Sequence, residues 1–259
     1  MDENRFQLTP RKHAAIYEKI ERHHFKKTEP ADRPQAIILG GQPGAGKSGL
    51  LEASKQSFAD RNVVTINGDE LRYYHPQYRD IQRADERRFA ELTDPHARPW
   101  TKQLFDRTIE TRRNVVFEGT MREAGPITET MRRLKAAGYY VVARVIAANE
   151  RDSMAGIHRR YEEQKAAKGF GRWSNVQAHN DAYKGMPATV EYIASATSWP
   201  TAYRSTTAGA TCCTTTSCRA TIGNGSRQQR PPSRPSVSAR LRPRNAGNKR
   251  RNGQRSSLP

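Results

Sequence analysis

The chain has 259 residues, enough for one or two domains, and a formal net charge of +19. Residues 195–259 hold 12 of its basic residues, no acidic residue and all three cysteines. Residues 1–194 therefore have a net charge of only +7, which is weak evidence for a nucleic-acid-binding domain. Because they contain no cysteine, a disulfide framework or a cysteine zinc site is excluded there. No apolar run approaches the roughly 20 residues of a membrane span, and no signal segment follows Met1. We expect a cytoplasmic protein without a membrane partner.

Short apolar strands alternate with helices along the first 194 residues. Thr9 and Pro10 favour a helix start, and the apolar spacing carries that helix to about Phe25. The predicted strands are 35–39, 63–66, 115–117 and 139–147, and further helices are predicted at 47–58, 99–113, 127–137 and, after the cap Asn149, to about 168. The alternation predicts an α/β fold with a mostly parallel sheet covered by helices, and the motif described next makes it P-loop NTPase-like.

A complete phosphate-binding motif lies between the first strand and the helix after it. Residues 41–48, the phosphate loop, read Gly-Gln-Pro-Gly-Ala-Gly-Lys-Ser and match G-x-x-x-x-G-K-[ST] at each fixed position. Gly41, Gly44 and Gly46 let the backbone N–H groups wrap around a phosphate, and the helix N-terminus adds partial positive charge. Lys47 is expected to reach the β- and γ-phosphates, and the Ser48 hydroxyl to bind Mg²⁺. The motif predicts an ATP site but leaves the fate of the phosphate open.

Two acidic residues follow predicted strands. Asp69 comes after the second strand and Glu118 after the third, where parallel sheets carry their chemistry. Phosphoryl transfer needs a carboxylate near the acceptor hydroxyl and acidic groups around Mg²⁺. Asp69 suits the first role, and Glu118 suits the second or holds the substrate. The alternative is that both residues only cap the helices that follow them.

Arginines late in the predicted domain are candidates for a clamp on the γ-phosphate. Arg159 and Arg160 fall on the predicted helix after Asn149, and Arg172 follows it. A cationic clamp stabilises the charge of the transferring phosphate. The residues alone do not decide between Arg159 and Arg160, and a solvated basic helix face is the alternative.

Together, the motifs resemble those of the zeta toxin family of P-loop kinases. Besides the phosphate loop, the matching pieces are Asn-Gly-Asp-Glu-Leu-Arg at 67–72 with His-Pro at 75–76, Glu-Gly-Thr-Met-Arg at 118–122, Arg-Tyr-Glu at 160–162, Arg172 and Gln-Ala-His at 177–179. Their order and spacing match over roughly residues 5–194. One departure is Gly68, since the family often has an acidic or amide residue before the matching aspartate; we expect little effect from it.

The resemblance implies a function and a set of residue roles. Family members are bacterial kinases that phosphorylate the 3′-hydroxyl of UDP-N-acetylglucosamine with ATP and Mg²⁺, which poisons cell-wall synthesis, and a small epsilon-type antitoxin blocks their nucleotide site. By resemblance, Lys47 and Ser48 serve ATP and Mg²⁺, and Asp69 is the base on the sugar hydroxyl. Sugar-nucleotide contacts are implied for Glu118, Thr120 and Arg122, and the γ-phosphate clamp for Arg160 and Arg172.

The last quarter of the chain differs in character. After about Ala194 the chain is rich in Ser, Thr, Gly, Pro and Arg, and no strand or helix period persists. We predict a boundary between a kinase domain, 1–194, and a disordered basic tail, 195–259, whose affinity for nucleic acid is non-specific. If the codons from residue 197 onward are read one base earlier, they can encode segments with apolar residues that resemble the C-terminal end of family members. A frameshift near residue 195 is therefore one hypothesis, and a natural basic tail is the other.

Three alternatives stay open beside this kinase. The chain could be another small-molecule P-loop kinase, since the phosphate loop does not specify the acceptor. It could bind nucleic acid through its arginine-rich tail, although residues 1–194 contain no recognisable nucleic-acid module. It could also be an inactive remnant that has lost its native C-terminal end.

Overall fold

The computed structural model describes residues 3–195. The predictions for the tail, which are its lack of packed structure, the frame change and the affinity for nucleic acid, therefore lie outside the described residues. The boundary between 194 and 195 stays a prediction, because the residues from 196 onward, on its far side, are not described.

A four-stranded sheet lies at the centre of the described residues. Its strands are β1 (Gln35–Gly40), β2 (Val64–Asn67), β3 (Val115–Glu118) and β4 (Tyr140–Val145), and their order is β2-β3-β1-β4. All three neighbouring pairs are parallel. Each parallel connection needs a crossover, which the intervening helices supply. The predicted fold class is confirmed.

Besides three short 3₁₀ helices, eight α-helices accompany the sheet in the described range: α1 (Pro10–Phe25), α2 (Lys47–Lys55), α3 (Gly68–Leu71), α4 (Tyr78–Ala84), α5 (Phe89–Glu110), α6 (Ala124–Ala136), α7 (Glu150–Lys168) and α8 (Val176–Ser195). Two predicted caps are present. The Thr9 side chain accepts a hydrogen bond from the backbone N–H of Lys12, and the Asn149 side chain accepts one from Arg151. Within residues 3–195, no helix has the length and apolarity to cross a bilayer.

Both faces of the sheet are buried. Along β1, Ile38 belongs to a large cluster with Trp100 of α5 and Met131 of α6, whereas Ile37 and Leu39 pack in a smaller cluster on the opposite face. Successive side chains of a strand point to opposite faces, so a strand covered on both sides must be apolar throughout. This explains why the central strand β1 reads as a continuous apolar run.

The largest error of the sequence prediction concerns α5. The prediction started this helix at Pro99, but it begins at Phe89 and contains both Pro95 and Pro99. Each proline removes one helical N–H donor, at a cost of about 3 kcal/mol. Burial of Phe89, Leu92 and seven further residues offsets that cost. The predicted helices also did not include α3, α4 or α8.

Candidate active site

The phosphate loop joins the end of β1 to α2 in a conformation that requires glycine. Gly44 has a φ of +79°, and a Cβ added there would lie 1.9 Å from the carbonyl oxygen of Ser153. Gly46 is the N-cap of α2 with a φ of +86°. The backbone therefore turns tightly around the helix N-terminus, where N–H groups and the helix dipole attract an anion. Lys47 and the exposed Ser48 occupy the first turn of α2.

Lys47 lies across the mouth of the phosphate loop. Its Nζ donates hydrogen bonds to the carbonyl oxygens of Gly41, at 2.8 Å, and Gln42, at 3.1 Å. Burial lowers the pKa of Lys47 to about 8, opposed by the charge of Glu118 and assisted by that of Arg172. The ammonium is therefore still mostly protonated at neutral pH, and phosphate oxygens are better partners for it than the two carbonyls.

A buried polar chain supports the phosphate loop from beneath. The Gln42 side chain, which is fully buried, donates from Nε2 to the carbonyl oxygen of Ala148 at 2.6 Å, and lies 3.5 Å from Ser153 Oγ. Ser153 Oγ in turn lies 2.8 Å from Nε2 of the buried His179. The sequence analysis named His179 only as part of a motif and assigned no supporting role to Gln42 or Ser153. The residues around each of them give no sign that these three distant segments meet.

The ends of β2 and β3 bring Asn67 and Glu118 together. The two residues are partners in the strand register, and Asn67 Nδ2 donates to Glu118 Oε2 at 2.8 Å. The Asn67 side chain also accepts a hydrogen bond from the backbone N–H of Asp69 and so caps α3. Burial raises the pKa of Glu118, against the attraction of Lys47 and Arg172. At Gly68, a Cβ would lie 3.1 Å from Thr101 Oγ1, so the departure from the family pattern allows α5 to approach closely.

Two arginines hold the carboxylate of Asp69. Arg172 pairs with Oδ2, and Arg72 Nε donates to Oδ1 at 3.1 Å. Burial by itself would raise the pKa of Asp69, but the charges of Arg172 and Arg72 outweigh burial and lower it. Asp69 is therefore a carboxylate at neutral pH. Arg72 was part of the motif, but sequence reasoning assigned it no role.

The structure distinguishes the two adjacent arginines of α7. Arg159 is exposed, whereas Arg160 is half-buried and donates from Nη2 to Ser174 Oγ at 2.7 Å. Burial, followed by the nearby charge of Arg172, lowers the pKa of Arg160. Arg160 therefore belongs to the same charged cluster as Asp69 and Lys47.

Aromatic packing fixes the connection between α7 and α8 that carries Arg172. A Cβ at Gly171 would lie 2.5 Å from the Tyr161 ring, so glycine lets the connection press against α7. The Trp173 ring packs edge-on against the Tyr161 ring. The guanidinium of Arg87 lies over the same Trp173 ring, 5.2 Å from its centroid. These contacts place Arg172 opposite Asp69.

A cavity of about 430 Å³ opens beside the acidic residues. Asn67, Asp69 and Glu118 line it at the sheet edge, and Lys102 of α5 and Arg133 of α6 line it from the helices. Lys102 and Arg133 both pair with Asp106, at 2.6 Å each, so two positive charges share one carboxylate. The cavity has the size and polarity to hold a small polar molecule next to Asp69.

Two residues assigned to substrate by resemblance are placed differently. Neither Thr120 nor Arg122 is among the described residues that line the cavity. The Arg122 side chain is half exposed and pairs with Glu123 at 3.1 Å. Between them, Met121 is buried with a φ of +52° and packs under Gly40. The substrate roles of Thr120 and Arg122 stay predictions.

Sequence comparisons give similarity to one group of proteins. A family profile described as Zeta toxin matches residues 20–207. A protein named Toxin zeta from Enterococcus hirae is 30% identical over 163 residues, which cover 62% of this chain and 57% of that protein. A protein named Toxin PezT from Streptococcus pneumoniae is 34% identical over 131 residues, 51% of each chain. The chain thus matches just over half the length of these curated relatives.

Solved structures share the fold. One from the PezAT chromosomal toxin-antitoxin system of Streptococcus pneumoniae has a TM-score of 0.68 and 23% identity, and the match covers 79% of this chain and 80% of that one. A structure of AvrRxo1-ORF1:-ORF2 with ATP has a TM-score of 0.54 and 11% identity, with coverage of 74% and 63%. At these identities, the structural matches establish a shared fold.

Proposed function

The chain belongs to the zeta toxin family, and on that premise we propose that it is an ATP-dependent kinase of a nucleotide sugar. The proposed reaction transfers the γ-phosphate of ATP to the 3′-hydroxyl of UDP-N-acetylglucosamine, which would make the chain a toxin of cell-wall synthesis. One observation carries the proposal: a complete phosphate loop and the paired carboxylate of Asp69 lie at the same edge of the sheet, beside a polar cavity.

The phosphate side of the reaction is assigned to the loop and three cations. The backbone around Gly44 and Gly46 would hold the β-phosphate, and Lys47 would exchange its two carbonyl partners for phosphate oxygens. Arg160 and Arg172, at the α7 end of the site, would clamp the γ-phosphate. The structure of AvrRxo1-ORF1:-ORF2 with ATP, which has the same fold, supports ATP as the nucleotide.

Magnesium is assigned to Ser48, with Glu118 as a further candidate. No group of three or more His, Cys, Asp or Glu side chains that could bind a metal occurs in the described part of the chain. This suits Mg²⁺, which is commonly held by few protein groups together with substrate phosphates and water. The exposed Ser48 hydroxyl in the first turn of α2 fits that requirement. When bound, the ion neutralises charge on the phosphates.

Asp69 is proposed to accept the proton of the acceptor hydroxyl. The hydroxyl oxygen bonds to the γ-phosphorus, the bond from that phosphorus to the bridging oxygen of ADP breaks, and Asp69 takes the hydroxyl proton. A loose phosphoryl-transfer transition state needs positioning and charge more than a strong base, so a carboxylate of lowered pKa is adequate. Arg160 and Arg172 would stabilise the charge on the transferring group.

The cavity is proposed as the acceptor site. Glu118, at the sheet edge, can accept a hydrogen bond from a sugar hydroxyl, and Lys102 and Arg133 on the helices can bind a diphosphate. Within residues 3–195 the two cations share the one carboxylate of Asp106, so one positive charge is left for an anionic substrate. This arrangement favours a nucleotide sugar over a free sugar.

An antitoxin of the epsilon type is the proposed protein partner. The PezAT structure, which has the same fold, is described as that of a toxin-antitoxin system. The proposed reaction also requires cytoplasmic ATP and sugar nucleotide, so we place the protein in the cytoplasm. An antitoxin that blocks the nucleotide site should compete with ATP for binding to this chain.

A panel of acceptors tests the proposed function. ADP release by the full chain would be measured with UDP-N-acetylglucosamine, UDP-glucose, N-acetylglucosamine and an aminoglycoside, with Lys47→Ala as the control for contaminating kinases. We expect fastest turnover with UDP-N-acetylglucosamine and weak turnover with free N-acetylglucosamine. Preference for the aminoglycoside or the free sugar would assign the chain to another class of small-molecule kinase.

A further inference from the structure

Arg72 links the candidate base to the longest helix of the described chain. It follows the single turn α3, and its side chain is only 15% exposed, against 40% for Asp69. Its Nε donates to Asp69 Oδ1 at 3.1 Å, and its Nη2 donates to Asp94 Oδ1 on α5 at 2.9 Å. Its Nη1 lies 3.2 Å from Oγ1 of the buried Thr93. The guanidinium is therefore fixed on both sides.

The two arginines on Asp69 are held in different ways. Both Nη groups of Arg72 form hydrogen bonds with side chains of α5, so Nε is the group that faces the carboxylate of Asp69. Arg172 approaches the other carboxylate oxygen from the connection between α7 and α8, with a terminal Nη group. A terminal Nη group can pass to a phosphate with a small rotation of the side chain, whereas Arg72 would have to leave Asp94 and Thr93. Arg72 is thus the permanent partner and Arg172 the exchangeable one.

We propose that Arg72 is a positioning residue that fixes Oδ1 of Asp69, so that Oδ2 faces the acceptor hydroxyl once Arg172 engages the phosphate. The proposal rests on the kinase function proposed above. It assigns to α5 a part in the reaction, because Thr93 and Asp94 of that helix hold the Arg72 side chain at the wall of the proposed acceptor cavity.

Arg72 also matters for the charge of Asp69. Burial favours the protonated carboxyl, and the charged or titratable groups that face Asp69 from the surrounding elements are Arg72, Arg172, Lys47, Arg160 and Tyr73. Arg172 opposes burial most strongly and Arg72 next. When Arg172, Lys47 and Arg160 engage phosphate, their charges are partly neutralised, and Arg72 is left as the cation beside Asp69 that no phosphate neutralises. Loss of Arg72 should therefore raise the pKa of Asp69.

The test compares Arg72→Gln and Arg72→Lys in the full chain, with kcat and KM measured between pH 3.5 and 9, a range that includes the acid limb set by a carboxyl of lowered pKa. We expect Arg72→Gln to lower kcat about 10- to 100-fold at pH 6 and to move the acid limb of the profile upward by about one pH unit. The KM for ATP should change less than about threefold, since Arg72 does not contact the phosphate loop. Arg72→Lys should restore part of kcat because it keeps the charge.

A matched control separates positioning from a general loss of structure. Arg132→Gln removes another arginine–carboxylate pair three residues apart, Arg132–Glu129 on α6, and should leave both profiles unchanged. A uniform loss of kcat at all pH values in Arg72→Gln, with no shift of the acid limb, would overturn the proposal.

A second measurement keeps this proposal separate from the kinase assignment. Carboxyl-detected ¹³C NMR gives the pKa of Asp69 without any substrate. A higher pKa in Arg72→Gln than in the wild type or Arg72→Lys supports the positioning contact, even where no acceptor is phosphorylated and the proposed function fails. An unchanged pKa of Asp69 in a folded Arg72→Gln protein overturns the positioning role, whatever the wild-type chain phosphorylates.

Discussion

The guanidinium of Arg172 donates a hydrogen bond to Oδ2 of Asp69, across 103 residues of sequence. In this arrangement, the proposed base is paired with a residue of the proposed phosphate clamp. A triphosphate is a stronger partner for an arginine than one carboxylate. ATP is therefore expected to draw Arg172 away and to free Oδ2 for the acceptor hydroxyl, which couples nucleotide binding to readiness for transfer.

Asp69→Asn should separate the two functions of this pair. The amide keeps the shape of the side chain but is a poor proton acceptor, so kcat should fall by roughly 10²- to 10⁴-fold. The Kd for ATP should stay the same or become slightly lower, since Arg172 no longer has to leave a carboxylate. The measurements are turnover and calorimetric ATP binding, with Asp80→Asn on α4 as the control. Loss of ATP binding together with turnover would indicate that Asp69 serves the nucleotide or its metal instead.

Lys47→Ala should abolish turnover without unfolding the chain. The Lys47 ammonium donates to carbonyl oxygens of the phosphate loop, so its removal costs transition-state stabilisation, roughly 10²-fold or more in kcat, rather than core packing. Lys55→Ala, at the other end of α2, should keep normal turnover. Near-normal turnover of Lys47→Ala with an unchanged melting curve would refute the assignment of the phosphate loop.

The affinity for ATP should depend on pH through Lys47. Its pKa is lowered to about 8 by burial, so the free protein loses this charge above pH 8, and ATP must then bind together with a proton. Affinity should be constant from pH 6.5 to 7.5 and fall above pH 8, by at most about tenfold per pH unit. Lys47→Arg, which stays charged, should bind ATP with a flat profile over this range. An equally steep fall in both proteins would assign the effect to another group.

Two glycines of the phosphate loop and α2 should respond oppositely to alanine. Gly44→Ala places a Cβ against the Ser153 carbonyl at a φ of +79°, so we expect the free energy of unfolding to fall by about 2 kcal/mol. We also expect ATP binding to be lost. A Cβ at Gly49, inside α2, meets nothing within 4 Å, and Gly49→Ala should stabilise the chain by roughly 0.5–1 kcal/mol. Chemical denaturation of both variants measures this. Equal effects would contradict the described loop conformation.

A chain that ends at Ser195 should bind ATP as tightly as the full chain. The residues assigned to the nucleotide, from Gly41 to Arg172, all precede the end of α8. The comparison is the ATP Kd and melting temperature of both chains. A shortened chain that cannot bind ATP would show that the kinase domain extends beyond the predicted boundary at 194.

Local motifs predicted the nucleotide side of the site, because the chemistry and the backbone conformation of residues 41–48 are both written in adjacent residues. The rule that parallel strands carry function at their C-terminal ends also placed Asp69 and Glu118 at one edge. The choice of Arg160 over Arg159 followed only from family resemblance, since it depends on how α7 is rotated against the sheet. Arg72, Gln42 and Ser153 were missed because their partners lie on other elements.

Helix α5 shows a second limit of local reasoning. Pro99 has the character of a helix start, so the sequence predicted one there. The helix begins at Phe89 because packing of residues such as Leu92 and Trp100 against other elements outweighs the local preference. That earlier turn supplies Thr93 and Asp94, the anchors of Arg72, so the error in the boundary also concealed a candidate positioning residue.

The central claim is tested most directly by the structure of the product. The full chain would be incubated with ATP, Mg²⁺ and UDP-N-acetylglucosamine, and the product examined by ³¹P and ¹H NMR, with Asp69→Asn in parallel. The account predicts a new phosphomonoester on the sugar 3′-oxygen, formed by the wild type and nearly absent with Asp69→Asn. An unmodified sugar nucleotide, with ATP intact or only hydrolysed, or a phosphate on another oxygen, would contradict it.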